Sequence, residues 1–135
     1  MAVPPPVFST IMIVGREMDE TSVTTAAIVR KFNDAFNSHN IDAVMAMMTD
    51  DCVFENTSPA PDGSRHEGAA NVRAALGDFL ASSSNARFEE EELFACQDRC
   101  FVQWRYSWGD GHVRGVDLMR VRDGKVSEKF AYVKG

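Results

Sequence analysis

The stretch "SWGDGHVRGVDLMRVRDGKVSEKFAYV", Ser107 to Val133, decides the fold. Two Asp-Gly pairs, Asp110-Gly111 and Asp123-Gly124, separate segments that alternate apolar and polar residues like β-strands. Asp-Gly is a favoured type I′ hairpin turn because both central residues need positive φ. Taken as two-residue turns, the pairs set a register. Trp104 stands opposite Asp117 and Tyr106 opposite Gly115 across the first hairpin, and Phe130 opposite Asp117 and Tyr132 opposite Gly115 across the second. Opposed residues share a face. One side therefore carries Val102, Trp104, Tyr106, Asp117, Met119, Phe130 and Tyr132, and the other Gln103, Arg105, Arg114, Arg120, Ser127 and Lys129. A one-residue slip in the first hairpin would mix arginines into the aromatic side. A single acid, Asp117, thus lies between an indole and a phenyl ring, and Gly115 leaves space between two tyrosines where a concave sheet has room for a ligand.

Upstream, Ile28, Val29, Phe32, Ala35 and Phe36 recur at helical spacing from about Ser22 to the "NSHN" at 37–40. Asn40 caps a second, shorter helix with Ile41, Val44, Met45 and Met48 on one face, and Asp50-Asp51 stops it. A strand follows at 52–56, "CVFEN", then a Pro/Gly/Ser loop, "TSPAPDGSR". Val72, Leu76, Phe79 and Leu80 mark a third helix closing at "SSSN"; it begins either at a Ser64/Glu67 capping box or near Gly68. From Phe88 the chain reads as strands joined by tight turns. The order helix, helix, strand, helix, then strands predicts an α+β fold with a mainly antiparallel sheet.

A chain of 135 residues fits one domain: an N-terminal extension over 1–20, then a single domain over 21–135. The first twenty residues carry three prolines in a row and an apolar run at Ile11 to Val14 that is too short for a signal or a membrane span, but long enough for an added strand. A net charge of −6 leaves no basic stripe for phosphate backbones, so nucleic acid is not expected as a partner, and with so short an apolar run at the N-terminus no membrane is expected either. Cys52, Cys96 and Cys100 are odd in number, which favours buried free thiols and a reducing cytoplasm.

Buried against rings without a cation beside it, Asp117 should hold its proton more tightly than an ordinary acid, and could then donate a hydrogen bond or exchange a proton near neutral pH. The bland alternative is a carboxylate satisfied by Trp104 or a tyrosine. Asn56, on the same strand face as Phe54, could orient a ligand carbonyl or simply bond its own loop. His66 lies beside the loop before the third helix; His39 and His112 fall in turns, and the three show no metal-ligand spacing. The run Glu89 to Glu92 alternates faces, with Arg105 available to neutralise Glu91 or Glu92. No phosphate loop, nucleophile elbow or reactive-cysteine context is present, so no cofactor and no metal is expected.

The element order, with "FNDAFNSHNIDAVMAMMTDDCVFEN", "HEGAANVRAAL" and "VRGVDLMRVRDGKVSEKFAYV", resembles the SnoaL-like branch of the nuclear transport factor 2 superfamily over about residues 23–133. The resemblance implies a cone-shaped barrel of the cystatin-like type, a curved sheet wrapped around three N-terminal helices, with a pocket at the open end and a homodimer through the outer sheet face. It also implies that Asp117 stands where ketosteroid isomerases keep their neutral oxyanion-stabilising acid and where SnoaL-type cyclases keep their acid/base. The isomerase's general base matches Asn56 and its oxyanion tyrosine matches Phe32, which argues against steroid isomerisation. Limonene epoxide hydrolases match at Arg105 but not at Ser107 or Ala131, which argues against epoxide hydrolysis. The expected site is an aromatic pocket for a small apolar or polycyclic molecule. Asp117 would be its single acid/base, with Trp104, Tyr106, Phe130 and Tyr132 around it and Phe32, Phe54 and Asn56 opposite. The chemistry would be isomerase or polyketide-cyclase-like proton transfer on a carbonyl compound. A non-catalytic binding or dimerisation module is the competing class.

Overall fold

The computed structural model describes residues 19–135. The extended arm and strand expected within the first twenty residues fall almost wholly outside them.

Helix α1 (Glu20–Asn37) starts before the expected Ser22 because the Asp19 side chain accepts the Ser22 backbone N–H at 2.8 Å. This N-cap satisfies a donor that has no partner within the helix. Val29, Phe32 and Phe36 lie on its buried face, as their spacing predicts. Asn40 caps α2 (Ile41–Ala46) as expected, accepting from Ala43 at 3.2 Å. The Asp-Asp pair does not end α2. Met47 does, and β1 (Met48–Glu55) carries both acids on its exposed positions, with Asp51 bonded to Arg122. A short strand that the sequence did not signal, β2 (Arg65–Glu67), pairs antiparallel with β1. It takes up Glu67 of the supposed capping box, and Ser64 lies just before it. Helix α3 (Ala69–Ser82) starts instead at Gly68, without a side-chain cap.

Four strands follow: β3 (Arg87–Cys96), β4 (Arg99–Trp108), β5 (Gly111–Arg122) and β6 (Lys125–Val133). Among the described residues the sheet order is β2-β1-β6-β5-β4-β3, and only β1 and β6 run parallel. The α+β, mainly antiparallel expectation holds: the described residues form a curved, unclosed six-stranded sheet around the helices. Phe32, Leu76, Met119, Val29, Val44 and Val72 fill the space between sheet and helices.

Both hairpin registers differ from the expectation. In the first, Trp108 pairs with Gly111, so the two-residue turn is Gly109-Asp110 rather than Asp110-Gly111. Gly109 has φ +41° and Asp110 is not left-handed, the pattern of a II′ turn with glycine first. The register moves by two residues, an even number, so every side chain of β4 and β5 keeps its predicted face while its partners change. Asp117 stands opposite Val102, and Trp104 opposite Gly115. In the second hairpin the turn is as expected, with Arg122 opposite Lys125, but a bulge follows: Val121 pairs with Val126 and Arg120 with Glu128. Ser127 is the extra residue, and its hydroxyl bonds the Arg120 carbonyl at 3.3 Å. One inserted residue reverses the facing of everything beyond it. Lys129 and Ala131 therefore turn inward, and Phe130 and Tyr132 turn out.

Candidate active site

Asp117 is 4% exposed and sits on the inner face of β5 between Val102 of β4 and Ala131 of β6. It is not alone. The bulge-inverted Lys129, 5% exposed, donates from Nζ to Asp117 Oδ2 at 2.7 Å. The expected tighter hold on a proton rested on an acid without a cation neighbour, and that premise fails. The bland alternative fails as well: among the described residues the Trp104 indole N–H, the Tyr106 hydroxyl and Asp117 Oδ1 are all buried without a hydrogen-bond partner.

The Lys129 ammonium is enclosed by phenyl rings, 5.0 Å from the Phe36 centroid, 5.9 Å from Phe32 and 6.0 Å from Phe88. Ring faces carry negative potential and attract a cation at these distances. The rings also hold one another: Phe88 packs edge-on against Trp104 at 5.1 Å and tilts against Tyr106 at 4.4 Å, and Phe79 meets Tyr106 at 5.6 Å.

Two cavities meet at the Asp117–Lys129 pair and share Phe36, Phe88 and Trp104 as walls. One, of about 180 Å³, is apolar and bounded by Phe54, Asn56, Phe79, Tyr106, Trp108 and Ala131. The other, of about 340 Å³, lies between α1 and the β3 edge and is polar, with Arg30, Asn33, Asn37, Arg87 and Glu90 in its wall.

Of the residues singled out from sequence, Asp117, Trp104, Tyr106, Phe54 and Asn56 come together around the apolar cavity. Asn56 also bonds its own loop, its side chain accepting the Thr57 N–H at 2.8 Å. Phe32 is fully buried below the Lys129 ammonium, in the core rather than in the cavity wall. Phe130 and Tyr132 do not join the site. Phe130 packs under Arg65 on the outer face, its ring 5.8 Å from the guanidinium, and Tyr132 is 56% exposed. Gly115 leaves no room for a ligand either, because the Trp104 indole edge already fills the space a Cβ would take.

His66 stacks on Phe54 and bonds the Ser64 hydroxyl at 3.1 Å, and is not in the cavity wall. His39 bridges the carbonyls of Asn37 and Ser83. In the acidic run a bulge after Glu90 changes the pairing: Glu89 faces Arg105 in register, Glu90 bonds Arg30, and Glu91 bonds Arg114 at 2.9 Å. The expected Arg105 partnership with Glu91 or Glu92 is therefore replaced. All three cysteines are free, but Cys96 is exposed rather than buried. Burial pushes the Cys100 thiol up to about 12 and raises Cys52, so neither is a ready nucleophile. Among the described residues no three His, Cys, Asp or Glu side chains converge as metal ligands.

Sequence reasoning missed Lys129, and no local signal marks it, because only the bulge turns it inward. Phe36, Phe79 and Phe88 were visible as apolar positions, but nothing in their spacing separates a cavity wall from a filled core.

The family model for a SnoaL-like domain matches residues 29–129. The chain belongs to the SnoaL-like family. A search of curated proteins found no match. Among solved structures, this SnoaL-like chain is similar to an NTF2-like protein of unknown function from Mesorhizobium loti. The two are 45% identical with a TM-score of 0.76, over 87% of this chain and 96% of that one. It shares its fold with a ketosteroid isomerase candidate from Kribbella flavida, at 22% identity, TM-score 0.71, 84% of this chain and 80% of that one. A polyketide cyclase candidate from Sinorhizobium meliloti has the same fold, at 20% identity, TM-score 0.68, 78% of this chain and 94% of that one. No helix among the described residues is long and apolar enough to cross a membrane.

Proposed function

We propose that the apolar cavity binds a small carbonyl compound and that Asp117 moves a proton on it, in an isomerisation or an aldol-type cyclisation. One observation carries this reading: among the described residues Asp117 Oδ1, Trp104 Nε1 and the Tyr106 hydroxyl stand buried and unpartnered, on side chains that line a single apolar space. An unsatisfied buried polar group costs about 1–3 kcal/mol, and a bound ligand would remove that cost. A carbonyl oxygen would accept from the indole N–H and the hydroxyl, and Asp117 Oδ1 would take the proton from the adjacent carbon. Lys129 keeps the other carboxylate oxygen in place. At about 180 Å³ the cavity is close to the ~150 Å³ that holds one benzene ring. Of the small apolar and polycyclic ligands the fold could serve, the size favours a single ring. Within the SnoaL-like fold, neighbours described as isomerase and cyclase candidates support the reaction class.

The outer sheet face supports a homodimer. Phe94, Phe101, Leu118 and Phe130 form one cross-strand row, and Phe94, Leu118 and Tyr132 are 56%, 39% and 56% exposed. Such a contiguous apolar band is what a partner surface covers. The free thiols support a reducing, cytoplasmic setting. The same apolar face favours the second reading, a non-catalytic module whose business is dimerisation or ligand binding.

Solvent-deuterium incorporation separates the two. Single-ring ketones incubated with protein in D₂O should exchange their α-protons, followed by proton NMR, and Asp117→Asn should slow exchange on the order of 100-fold. Ketone binding, read by tryptophan fluorescence, should persist in that variant. Binding without exchange in the wild type would leave only the module, and absence of binding would refute the cavity as a ketone site.

A further inference from the structure

We propose that Lys129 is a covalent catalyst, an amine that forms an iminium with the carbonyl carbon of the same ligand, Asp117 relaying the protons. The inference rests on the cavity binding a carbonyl compound, and extends that reading from proton transfer to bond formation.

The sequence holds four lysines. Lys31, Lys125 and Lys134 are exposed, as lysine normally is. Lys129 alone is buried, and it is buried by a specific device: without the Ser127 bulge it would lie on the outer face among the arginines. Once inside, its ammonium has three hydrogens to donate and, among the described residues, a single hydrogen-bond partner, Asp117 Oδ2. The remaining surroundings are the rings of Phe36, Phe32 and Phe88. A buried ion pair is retained for stability only when its remaining hydrogen-bonding groups are satisfied. Here Asp117 Oδ1 has no partner among the described residues either. The pair is therefore poorly explained as a structural tie. It has the parts of an activated amine instead: a desolvated lysine, a carboxylate at 2.7 Å to take its proton, and an adjoining space for an electrophile.

The chemistry closes without any further reagent. Asp117 accepts one proton from the ammonium, and the nitrogen lone pair attacks the carbonyl carbon, forming a C–N bond as the carbonyl π pair moves to oxygen. That oxygen takes a proton from Asp117 and a second from the nitrogen, by way of Asp117, and leaves as water. The three ammonium hydrogens end as two on water and one on the iminium nitrogen, and the positive charge is conserved. The iminium then withdraws electrons from the neighbouring carbon, Asp117 takes that carbon's proton, and the C–H pair becomes the C=C bond of a neutral enamine. The substrate class is an aldehyde or unhindered ketone of single-ring size.

The test is reductive trapping. Full-length protein is incubated with a single-ring ketone and cyanoborohydride, then analysed by intact mass and peptide mapping. One adduct per chain is expected, with a mass gain equal to the ketone less its oxygen atom, at Lys129 and ahead of the three exposed lysines. The corresponding ring alcohol, which cannot form an iminium, should compete with it. Asp117→Asn should slow trapping at Lys129 at least tenfold while leaving the exposed lysines unchanged, and in denaturant the four lysines should label alike. Because the wild type reports the site directly, the outcome does not depend on a Lys129 variant folding. Ketone binding seen by tryptophan fluorescence, with Lys129 unmodified, would overturn the covalent role and leave the non-covalent reading standing. Failure of the ketone to bind at all would overturn both.

Discussion

Replacing Lys129 by methionine keeps a flexible apolar stem of similar length and removes the charge. Asp117 is then left with both oxygens unpartnered in a site where the two side chains are 6% and 5% exposed. Breaking a buried pair by removing one member costs about 3–5 kcal/mol, because the desolvation of the survivor is no longer offset. With a urea m-value of about 1.5–2 kcal/mol/M, a 4 kcal/mol loss lowers the unfolding midpoint by roughly 2–3 M. The double variant Lys129→Met/Asp117→Leu removes the stranded charge and extends an aliphatic side chain toward the neighbouring cavities. It should recover the whole loss and land between neutral and about 2 kcal/mol more stable than wild type. The assay is urea denaturation by circular dichroism on wild type, both single variants and the double, assembled as a double-mutant cycle. A double variant as unstable as Lys129→Met would mean that the pair holds the fold together, and the argument that it is kept for chemistry would fall. A loss below about 1 kcal/mol in Lys129→Met would mean instead that water reaches Asp117.

Gly115→Ala places a Cβ about 2.2 Å from the Tyr132 carbonyl oxygen and 2.5 Å from the Trp104 ring edge. It should cost about 1–3 kcal/mol and shift tryptophan emission; an unchanged spectrum and midpoint would contradict the Trp104–Gly115 pairing. Ellman's reagent near pH 8 should label Cys96 in the native protein and leave Cys52 and Cys100 protected until denaturant is added, since burial keeps the latter two protonated; rapid labelling of all three would mean the core is open. On the acid side, three carboxyls are held below their ordinary values: Asp19 by the Ser22 backbone N–H, Asp51 by the Arg122 guanidinium, and Glu91 by Gln103 and then Arg114. A depressed folded-state value means the contribution is complete above the unfolded-state value and is lost as pH falls through the folded-state one. Urea midpoints should therefore decline below about pH 4, and Asp51→Asn should flatten that decline; an equally steep limb in the variant would remove Asp51 from the account.

The helices were legible because each rests on local chemistry: apolar residues at helical spacing on α1 and α3, and an asparagine placed to cap α2. The Asp19 cap is just as local a signal, three residues ahead of the Ser22 start that apolar spacing alone suggests. The short β2 was not legible, since three residues carry no periodicity and exist as a strand only because β1 lies beside them. Part of the candidate site was also readable. Trp104, Tyr106 and Asp117 share a face in any register shifted by an even number, so the wrong turn residues in the first hairpin did no damage to their placement.

The sequence by itself determined the order of elements, the apolar faces, and the presence of an acid among aromatic rings, because strand alternation and helical period are properties of neighbours in the chain. Tertiary structure alone decided that the acid has a cation for company. A bulge at Ser127 exchanges Phe130 and Tyr132 for Lys129 and Ala131 on the inner face, and local alternation argues against that exchange. What makes it favourable lies across the sheet, where Phe94, Phe101 and Leu118 already form an outer apolar row that Phe130 completes. Burial of that kind is a sum over strands distant in sequence, and no single stretch of the chain contains it.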